Sequence, residues 1–365
     1  MSLLTLQNLD VKRRGKPILK NINLRIDAGE MVVLMGSSGA GKSTLLRAIC
    51  GLQRLHSGRI LLAGKDITDQ PVHLRSAAMV MDEAGLFPHY TVRENIRFAV
   101  RESSEITANE QVEVALTGLD LSHLAERYPR ELSTGQQQKV ALARALVRRP
   151  KIMLFDEPFA HVDRASASDL GTALQRMHRR LGCAALFVTH DIEEAYALAD
   201  RVVHLSNGEV VQDDFPEEVH DRPASLEIAR ACGAQTFLTY QGRVEVNALG
   251  EVFLVGELLG QNMRVNAAED FAAWQGDTKD SVVVAYPNAV SLSVLPPSSH
   301  DARVQGPIGQ VNAQTYRGQW YVTEVESELG TVVAYTPTDP PTCVVGDRVR
   351  INLDQRKLWA LPLPS

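Results

Sequence analysis

The apolar residues in the first two thirds of the chain fall into short runs that alternate between strand-like and helix-like spacing. Three runs are almost continuously apolar, as expected for strands buried on both faces of a sheet: MVVLMG, IMLFDEPF and ALFVTHD. Helical spacing follows each of them, and this alternation predicts a parallel sheet covered by helices. Two further strands are predicted near the N-terminus, and the region of about residues 86–140 is predicted to be a helical subdomain.

Near residue 237 the pattern changes to many short β-like runs separated by Gly, Pro and Asn. Helical spacing is rare beyond this point. The change predicts two domains, residues 1–236 and residues 237–365, and the second is predicted to be a small β-barrel.

Composition and charge narrow the class of protein. The chain has 365 residues, of which 44% are hydrophobic and 22% charged, as in ordinary globular proteins. A formal net charge of -6 argues against a dedicated nucleic-acid-binding protein. The four cysteines lie far apart and predict reduced, structural thiols. No apolar run approaches the ~18 residues of a membrane span, and the N-terminus lacks a signal-peptide pattern, so any membrane role is expected to depend on a partner.

The clearest chemical motif lies between the first continuous apolar run and the helical run behind it. Residues 36–43 read GSSGAGKS and match the P-loop pattern, in which backbone N–H groups surround phosphates. Lys42 is predicted to reach the β- and γ-phosphates, and the Ser43 hydroxyl is predicted to bind Mg²⁺. The predicted nucleotide-binding residues of this motif are Gly36, Ser37, Ser38, Gly39, Ala40, Gly41, Lys42, Ser43 and Thr44.

The other two continuous apolar runs end in polar residues with the chemistry of nucleotide hydrolysis. Asp156 ends one run and is predicted to bind Mg²⁺, and its neighbour Glu157 is predicted to polarise the attacking water. His190 ends the other run. Beside a P-loop and an acid pair, it is predicted to contact the γ-phosphate rather than to serve as a structural cap.

Residues 132–139 read LSTGQQQK, a polar and donor-rich stretch at the start of a helical run. In this order and context the motifs resemble those of the ATP-binding subunits of ABC transporters, whose signature is usually written LSGGQ. The resemblance covers roughly residues 3–235. It implies that Ser133, Gly135 and Gln136 contact a nucleotide held by a second copy, and that Asp163 ends a dimer-contacting loop. It also implies that His190 is the switch histidine of the family.

The resemblance implies a fold class as well. It is an α/β P-loop NTPase fold of the ABC type, with antiparallel β and helical subdomains, followed by a small all-β domain of the OB or TOBE-like kind. The β-rich tail resembles the regulatory barrel of importer ATPases for ferric iron, polyamines, sulfate and maltose.

Three positions depart from the family pattern. No aromatic residue occurs near Arg13 or Arg14, where the family stacks adenine, so either an arginine, with Arg14 as the candidate, stacks on the base or the stacking partner comes from elsewhere. Asp82 replaces a glutamine that completes the Mg²⁺ and water contacts, so Asp82 is predicted to approach Mg²⁺ and to change metal dependence or turnover. Thr134 replaces the first glycine of the signature. Its neighbours Ser133 and Gly135 remain and are predicted to contact phosphate.

The function implied by the resemblance is that of an active ATPase that uses ATP and Mg²⁺. The expected partners are a second copy or a paralogous ATPase, integral-membrane permease subunits and, indirectly, an extracytoplasmic solute-binding protein, with no nucleic acid. The expected location is the cytoplasmic face of the inner membrane, as a peripheral subunit. Two alternatives stay open: a soluble ABC-type ATPase that is not coupled to transport, and a regulatory module that binds nucleotide without hydrolysis.

Overall fold

A computed structural model describes residues 2–100, 105–258, 261–296, 306–328 and 330–363. The chain divides into two compact units, Met1–Pro216 and Glu217–Ser365. Strands and helices are numbered below in chain order.

A six-stranded sheet forms the centre of the first unit. Its spatial order is β10 (Glu209–Asp214), β9 (Arg201–Ser206), β3 (Met31–Met35), β8 (Ala184–Val188), β7 (Ile152–Asp156) and β6 (Ala77–Met81). β10 is antiparallel to β9, and the other neighbouring strands are parallel. Every residue of β3, β7 and β8 is buried, as their continuous apolar runs predict. Because these strands are parallel, their carboxyl ends lie together at one edge of the sheet.

A smaller antiparallel sheet packs into the same core. Its order is β2 (Lys16–Asp27), β1 (Ser2–Arg13), β4 (Ser57–Leu62) and β5 (Lys65–Asp66). Buried leucine, isoleucine and valine side chains of both sheets join those of the first helix, α1 (Lys42–Cys50), in one hydrophobic cluster. The core therefore fixes the end of β1 and the start of α1 near the same edge of the large sheet.

The remaining helices of this unit include those of the predicted helical subdomain. They are α2 (Val92–Arg97), α3 (Glu105–Gly118), α4 (Thr134–Leu146), α5 (Arg164–Leu181) and α6 (Ile192–Leu198). α2 packs against both α3 and α4. Of the helices in the described ranges, none combines the length and apolar character that a membrane crossing requires.

The second unit contains two sheets with a shared core. A closed barrel is formed by β11 (Thr236–Val246), β12 (Val252–Leu258), β13 (Gln261–Ala267), β20 (Leu358–Pro362) and β14 (Thr278–Ala285). A five-stranded sheet contains β15 (Val290–Val294), β19 (Arg348–Leu353), β16 (Ile308–Tyr316), β17 (Trp320–Ser327) and β18 (Gly330–Pro337). The second unit is thus all-β, as the sequence predicts, and consists of a closed barrel and an additional five-stranded sheet.

Two short helices, α7 (Pro216–Asp221) and α8 (Leu226–Ala231), precede the barrel. The Tyr286 hydroxyl donates to the backbone oxygen of His220 at 2.7 Å, and the Trp359 indole N–H donates to that of Pro223 at 3.1 Å. These hydrogen bonds attach the helical segment to the β unit. The division between the two units therefore lies earlier in the chain than the predicted boundary after residue 236.

Candidate nucleotide site

Three glycines shape the loop that joins β3 to α1. Gly36, Gly39 and Gly41 have positive φ angles of 143°, 84° and 109°. A Cβ atom at Gly36 would lie 2.1 Å from the backbone oxygen of Leu205, so no larger residue fits this position without a shift of β9. The loop follows a buried strand and leads into a helix, which is the structural context that a P-loop requires.

The start of α1 is suited to bind an anion. Its N-cap, Gly41, provides no side-chain acceptor for the first N–H groups of the helix. Such groups carry partial positive charge and favour phosphate. Lys42 is 7% exposed, and its Nζ donates to the backbone oxygens of Gly36 at 2.7 Å and Ser37 at 3.0 Å. These contacts hold the ammonium group at the loop.

Asp156 and Ser43 meet at the edge of the large sheet. The Ser43 hydroxyl donates to Asp156 Oδ1 at 2.8 Å, which joins the start of α1 to the end of β7. A hydroxyl and a carboxylate are hard oxygen donors of the kind that Mg²⁺ prefers, so these two residues fit the predicted metal. Asp82 follows Met81, which is opposite Asp156 in the β6–β7 pair, and so lies next to the same end of β7.

Burial shifts the pKa values of Lys42 and Asp156, the two buried charged residues of this site. It lowers the pKa of Lys42, an effect that the nearby carboxylates of Glu157 and Asp156 oppose. Burial also raises the pKa of Asp156, while the hydrogen bond from Ser43 and the charge of Arg47 oppose that rise. A phosphate beside Lys42 and a cation beside Asp156 would each favour the charged form of the side chain.

Glu157 and His190 form a pair beside the P-loop. The N–H of Glu157 donates to the backbone oxygen of Val188 at 3.1 Å, which joins the residue after β7 to the end of β8. Glu157 has a φ of 48°, a left-handed conformation that is uncommon for a residue with a side chain and is frequent at functional sites. His190 Nδ1 lies 3.1 Å from Glu157 Oε2. The pair has the geometry of a base and the group that orients it.

These residues surround one cavity of about 500 Å³. Its lining residues are Gly36, Ser38, Gly39, Gly41, Lys42, Ser43, Thr44, Arg13, Ile18, Glu157 and His190. Of the remaining loop residues, Ser37 contributes the backbone oxygen that Lys42 contacts, and Ala40 is buried. The structure thus brings the P-loop, Glu157 and His190 to a single cavity.

The arginine at the edge of this cavity is Arg13 and not the predicted Arg14. Arg13 is the last residue of β1 and lines the cavity together with Ile18 of β2. Arg14 is in the turn that follows, with a left-handed φ of 50°, and does not line the cavity. The geometry therefore favours Arg13 as the residue that stacks on a base, with its guanidinium plane in place of an aromatic ring.

Replacing Arg13 by alanine is expected to weaken ATP binding by roughly two- to fivefold, because an exposed stacking contact of this kind is worth about 0.5–1 kcal/mol. Binding of tripolyphosphate, which has no base, should change much less. Titration calorimetry with both ligands checks this, and Arg14→Ala is the matched control from the adjacent position. Equal losses for the two ligands would mean that Arg13 acts through its charge on phosphate.

The signature residues form a second cluster. Ser133 caps α4: its hydroxyl accepts the N–H of Gln136 at 3.3 Å, and the Gln136 side-chain oxygen accepts the N–H of Ser133 at 3.0 Å. A Cβ atom at Gly135 would lie 3.1 Å from Ser166 Cβ, so this part of α4 packs closely against the start of α5. Asp163 caps α5, and hydrogen bonds from Ser166 lower its pKa. Of the described residues that line the P-loop cavity, none belongs to this cluster.

Sequence reasoning missed the roles of two residues further along α4. Gln138 is 3% exposed, and its Nε2 donates to the backbone oxygen of Met81 at 2.7 Å. Arg144 donates to the backbone oxygens of Gly85 and Ala84. In the sequence, the run of three glutamines at residues 136–138 is the signal that points to this part of α4. The run does not show that each glutamine side chain has a different hydrogen-bond partner.

The fold and the cavity define a P-loop ATPase, with a parallel sheet whose strand ends carry the phosphate loop, the acid pair and the histidine. A family model described as ABC transporter matches residues 19–160. Together with the relatives described next, this match shows that the chain belongs to the ABC transporter family of ATP-binding proteins. This confirms the predicted family and fold class.

Relatives in the same family match two thirds or more of the chain. The spermidine/putrescine import ATP-binding protein PotA of Marinobacter nauticus is 36% identical over 99% of this chain and 95% of the relative. The Fe(3+) ions import ATP-binding protein FbpC of Agrobacterium fabrum is 34% identical over 86% of this chain and 85% of the relative. The sulfoquinovosyl glycerol transport ATP-binding protein SmoE of the same organism is 39% identical over 68% of this chain and 70% of the relative.

Two solved structures support the fold of the first unit. cbiO1 from Clostridium perfringens, part of the ABC transporter complex cbiONQ, has a TM-score of 0.57 and 31% identity over 60% of this chain and 90% of its own. The ATP-binding cassette MJ0796, a dimer in a post-hydrolysis state bound to ADP and Pi, has a TM-score of 0.53 and 29% identity over 58% of this chain and 98% of its own.

Proposed function

We propose that this chain hydrolyses ATP within a head-to-tail dimer and so powers the import of a small solute through separate membrane subunits. The observation that carries the proposal is the separation of the P-loop cavity from the start of α4 within one chain. Both regions are suited to phosphate, because both present the N-terminus of a helix. In a twofold dimer of this kind, the start of α4 in one copy would face the P-loop of the other.

Each half of the proposed site has a defined task. The P-loop and Lys42 bind the β- and γ-phosphates of ATP, and Ser43 and Asp156 would hold Mg²⁺, which when bound offsets phosphate charge. Glu157 orients a water molecule and takes its proton, and His190 holds the Glu157 carboxylate in place. Loss of the γ-phosphate removes a contact that both copies share, so the dimer opens after hydrolysis.

The proposed contact with the membrane subunits is a group of aromatic rings before and after the start of α2. Phe87 lies 4.5 Å from Phe98 and 5.4 Å from Tyr90 between ring centroids, and Phe98 is 36% exposed. A partly exposed aromatic cluster of this kind is typical of a protein-binding surface. We place the chain at the cytoplasmic face of the inner membrane, with a solute-binding protein acting on the membrane subunits.

The solute is proposed to be selected by those other subunits. The relatives are named for solutes as different as spermidine, ferric ions and sulfoquinovosyl glycerol, although their identities to this chain are similar.

The direct test is phosphate release from ATP by the purified chain, followed by identification of the membrane proteins that co-purify with it. Hydrolysis together with co-purified integral-membrane subunits, and solute uptake that requires this chain, is the expected result. ATP binding without phosphate release would indicate a regulatory module instead. Hydrolysis with no membrane partner would indicate a soluble ATPase.

A further inference from the structure

The segment from Met81 to Phe87, between β6 and α2, has no regular secondary structure after its first residue. α4 nevertheless contacts it at its first residue and at its middle through side chains that reach its backbone. We propose that Gln138 and Arg144 are positioning residues that hold this segment against α4 and thereby fix Asp82 beside the metal-binding end of β7. This inference rests on the proposed function, because it concerns the ATP and metal site.

Gln138 holds the first end of the segment. Its side chain is almost fully buried, and its Nε2 donates to the backbone oxygen of Met81 at 2.7 Å. A buried amide donor that loses its acceptor is costly, so the Gln138 side chain and the Met81 carbonyl are held together at the end of β6. Met81 is opposite Asp156 in the parallel β6–β7 pair, and Asp82 is the next residue. The position of the Asp82 backbone therefore follows from the contact made by Gln138.

Arg144 holds the middle of the segment. Its two terminal nitrogens donate to consecutive carbonyl groups, Nη1 to Gly85 at 2.8 Å and Nη2 to Ala84 at 3.0 Å. The planar guanidinium suits such a forked contact, and its Cζ lies 5.8 Å from the centre of the Phe87 ring. Gln138 and Arg144 are six positions apart, or about 9 Å along the helix axis. Two contacts at this spacing resist both shift and rotation of the segment.

The Asp82 side chain itself is weakly held. It is 53% exposed, and among the described residues the one ion-pair partner within 4.0 Å is His161, whose Nε2 lies 3.9 Å from Asp82 Oδ2. An exposed pair at this distance contributes little. Asp82 is therefore positioned through its backbone, and the backbone is positioned by α4, the same helix that begins with the signature.

The first measurement is hydrogen exchange, in the full chain, of protected backbone amides on either side of this segment: those of β6, which pairs with β7, and that of Phe87, which donates to Asn95 Oδ1 at 2.8 Å. Gln138→Leu and Arg144→Met are each expected to speed exchange there by about tenfold or more, since each removes contacts that oppose local opening. Gln137→Leu is the matched control, because the Gln137 side chain donates to Pro129 and Leu132 and not to this segment.

The second measurement is Mn²⁺ binding to the ATP complex of Glu157→Gln protein. Electron paramagnetic resonance is used to detect the bound Mn²⁺. Gln138→Leu is expected to weaken Mn²⁺ binding by about threefold or more, and to have no further effect in an Asp82→Asn background, because residues that act through one another are non-additive. Arg144→Met provides the same test if Gln138→Leu does not fold.

The outcomes separate this inference from the proposed function. If Glu157→Gln protein does not bind ATP, the proposed function fails. If it binds ATP and Mn²⁺ but Gln138→Leu and Arg144→Met behave as Gln137→Leu does in both measurements, the positioning role is wrong and the proposed function stands. Additive effects of Gln138→Leu and Asp82→Asn on Mn²⁺ binding would also overturn the positioning role.

Discussion

Protein with Glu157→Gln is expected to bind ATP as tightly as the unmodified chain and to hydrolyse it about a thousandfold more slowly, within the range found for removal of a general base. Glu157 lines the P-loop cavity, and its carboxylate is oriented by His190. Glutamine has the same shape but cannot take a proton from water. Single-turnover phosphate release, with ATP binding measured in parallel, checks the prediction.

The matched control is Glu194→Gln. Glu194 is a neighbouring carboxylate that accepts a hydrogen bond from the Thr189 hydroxyl at 2.7 Å, and it does not line the P-loop cavity. Its replacement should leave hydrolysis within a few-fold of the unmodified rate, since the residue makes no contact with the reacting groups. If Glu157→Gln also stayed within tenfold, Glu157 would not be the base.

The central site could be predicted from sequence because it rests on local patterns. Continuous apolar runs identify β3, β7 and β8, and parallel strands necessarily present their carboxyl ends at one edge. Asp156 and His190 are identified by their places at or just beyond such a strand end, and Lys42 is identified by the glycine-rich loop that follows β3. These residues can therefore be identified without knowing how distant parts of the chain pack together.

The sequence alone could not show whether Arg13 or Arg14 lines the P-loop cavity. β1 pairs with β2 through several register shifts, two of them between Leu9 and Lys12, so the alternation of side chains cannot be counted to the end of the strand. Similarly, the glutamine run predicts the start of a helix, but the contact from Gln138 to Met81 joins residues 57 positions apart. Such partners depend on tertiary packing.

Two inactive variants are expected to regain activity when they are mixed. Lys42→Ala removes the ammonium group that the P-loop holds, and Ser133→Asp places a carboxylate where the start of α4 would face phosphate. Aspartate caps a helix as well as serine does, so Ser133→Asp should fold normally. In a dimer of either variant, both composite sites contain the defect.

A dimer with one chain of each kind contains one site with both defects and one site with neither. An equal mixture forms such dimers in half of the cases, and each has one working site of two, so about a quarter of the unmodified activity is expected if the sites act independently. Phosphate release should therefore rise on mixing and peak at equal amounts.

The control mixture is Lys42→Ala with Asp156→Asn, because both changes disable the P-loop side and leave no intact site in any dimer. If the first mixture stayed as inactive as this control, the P-loop and the signature could not belong to a shared site, and the head-to-tail dimer would be wrong.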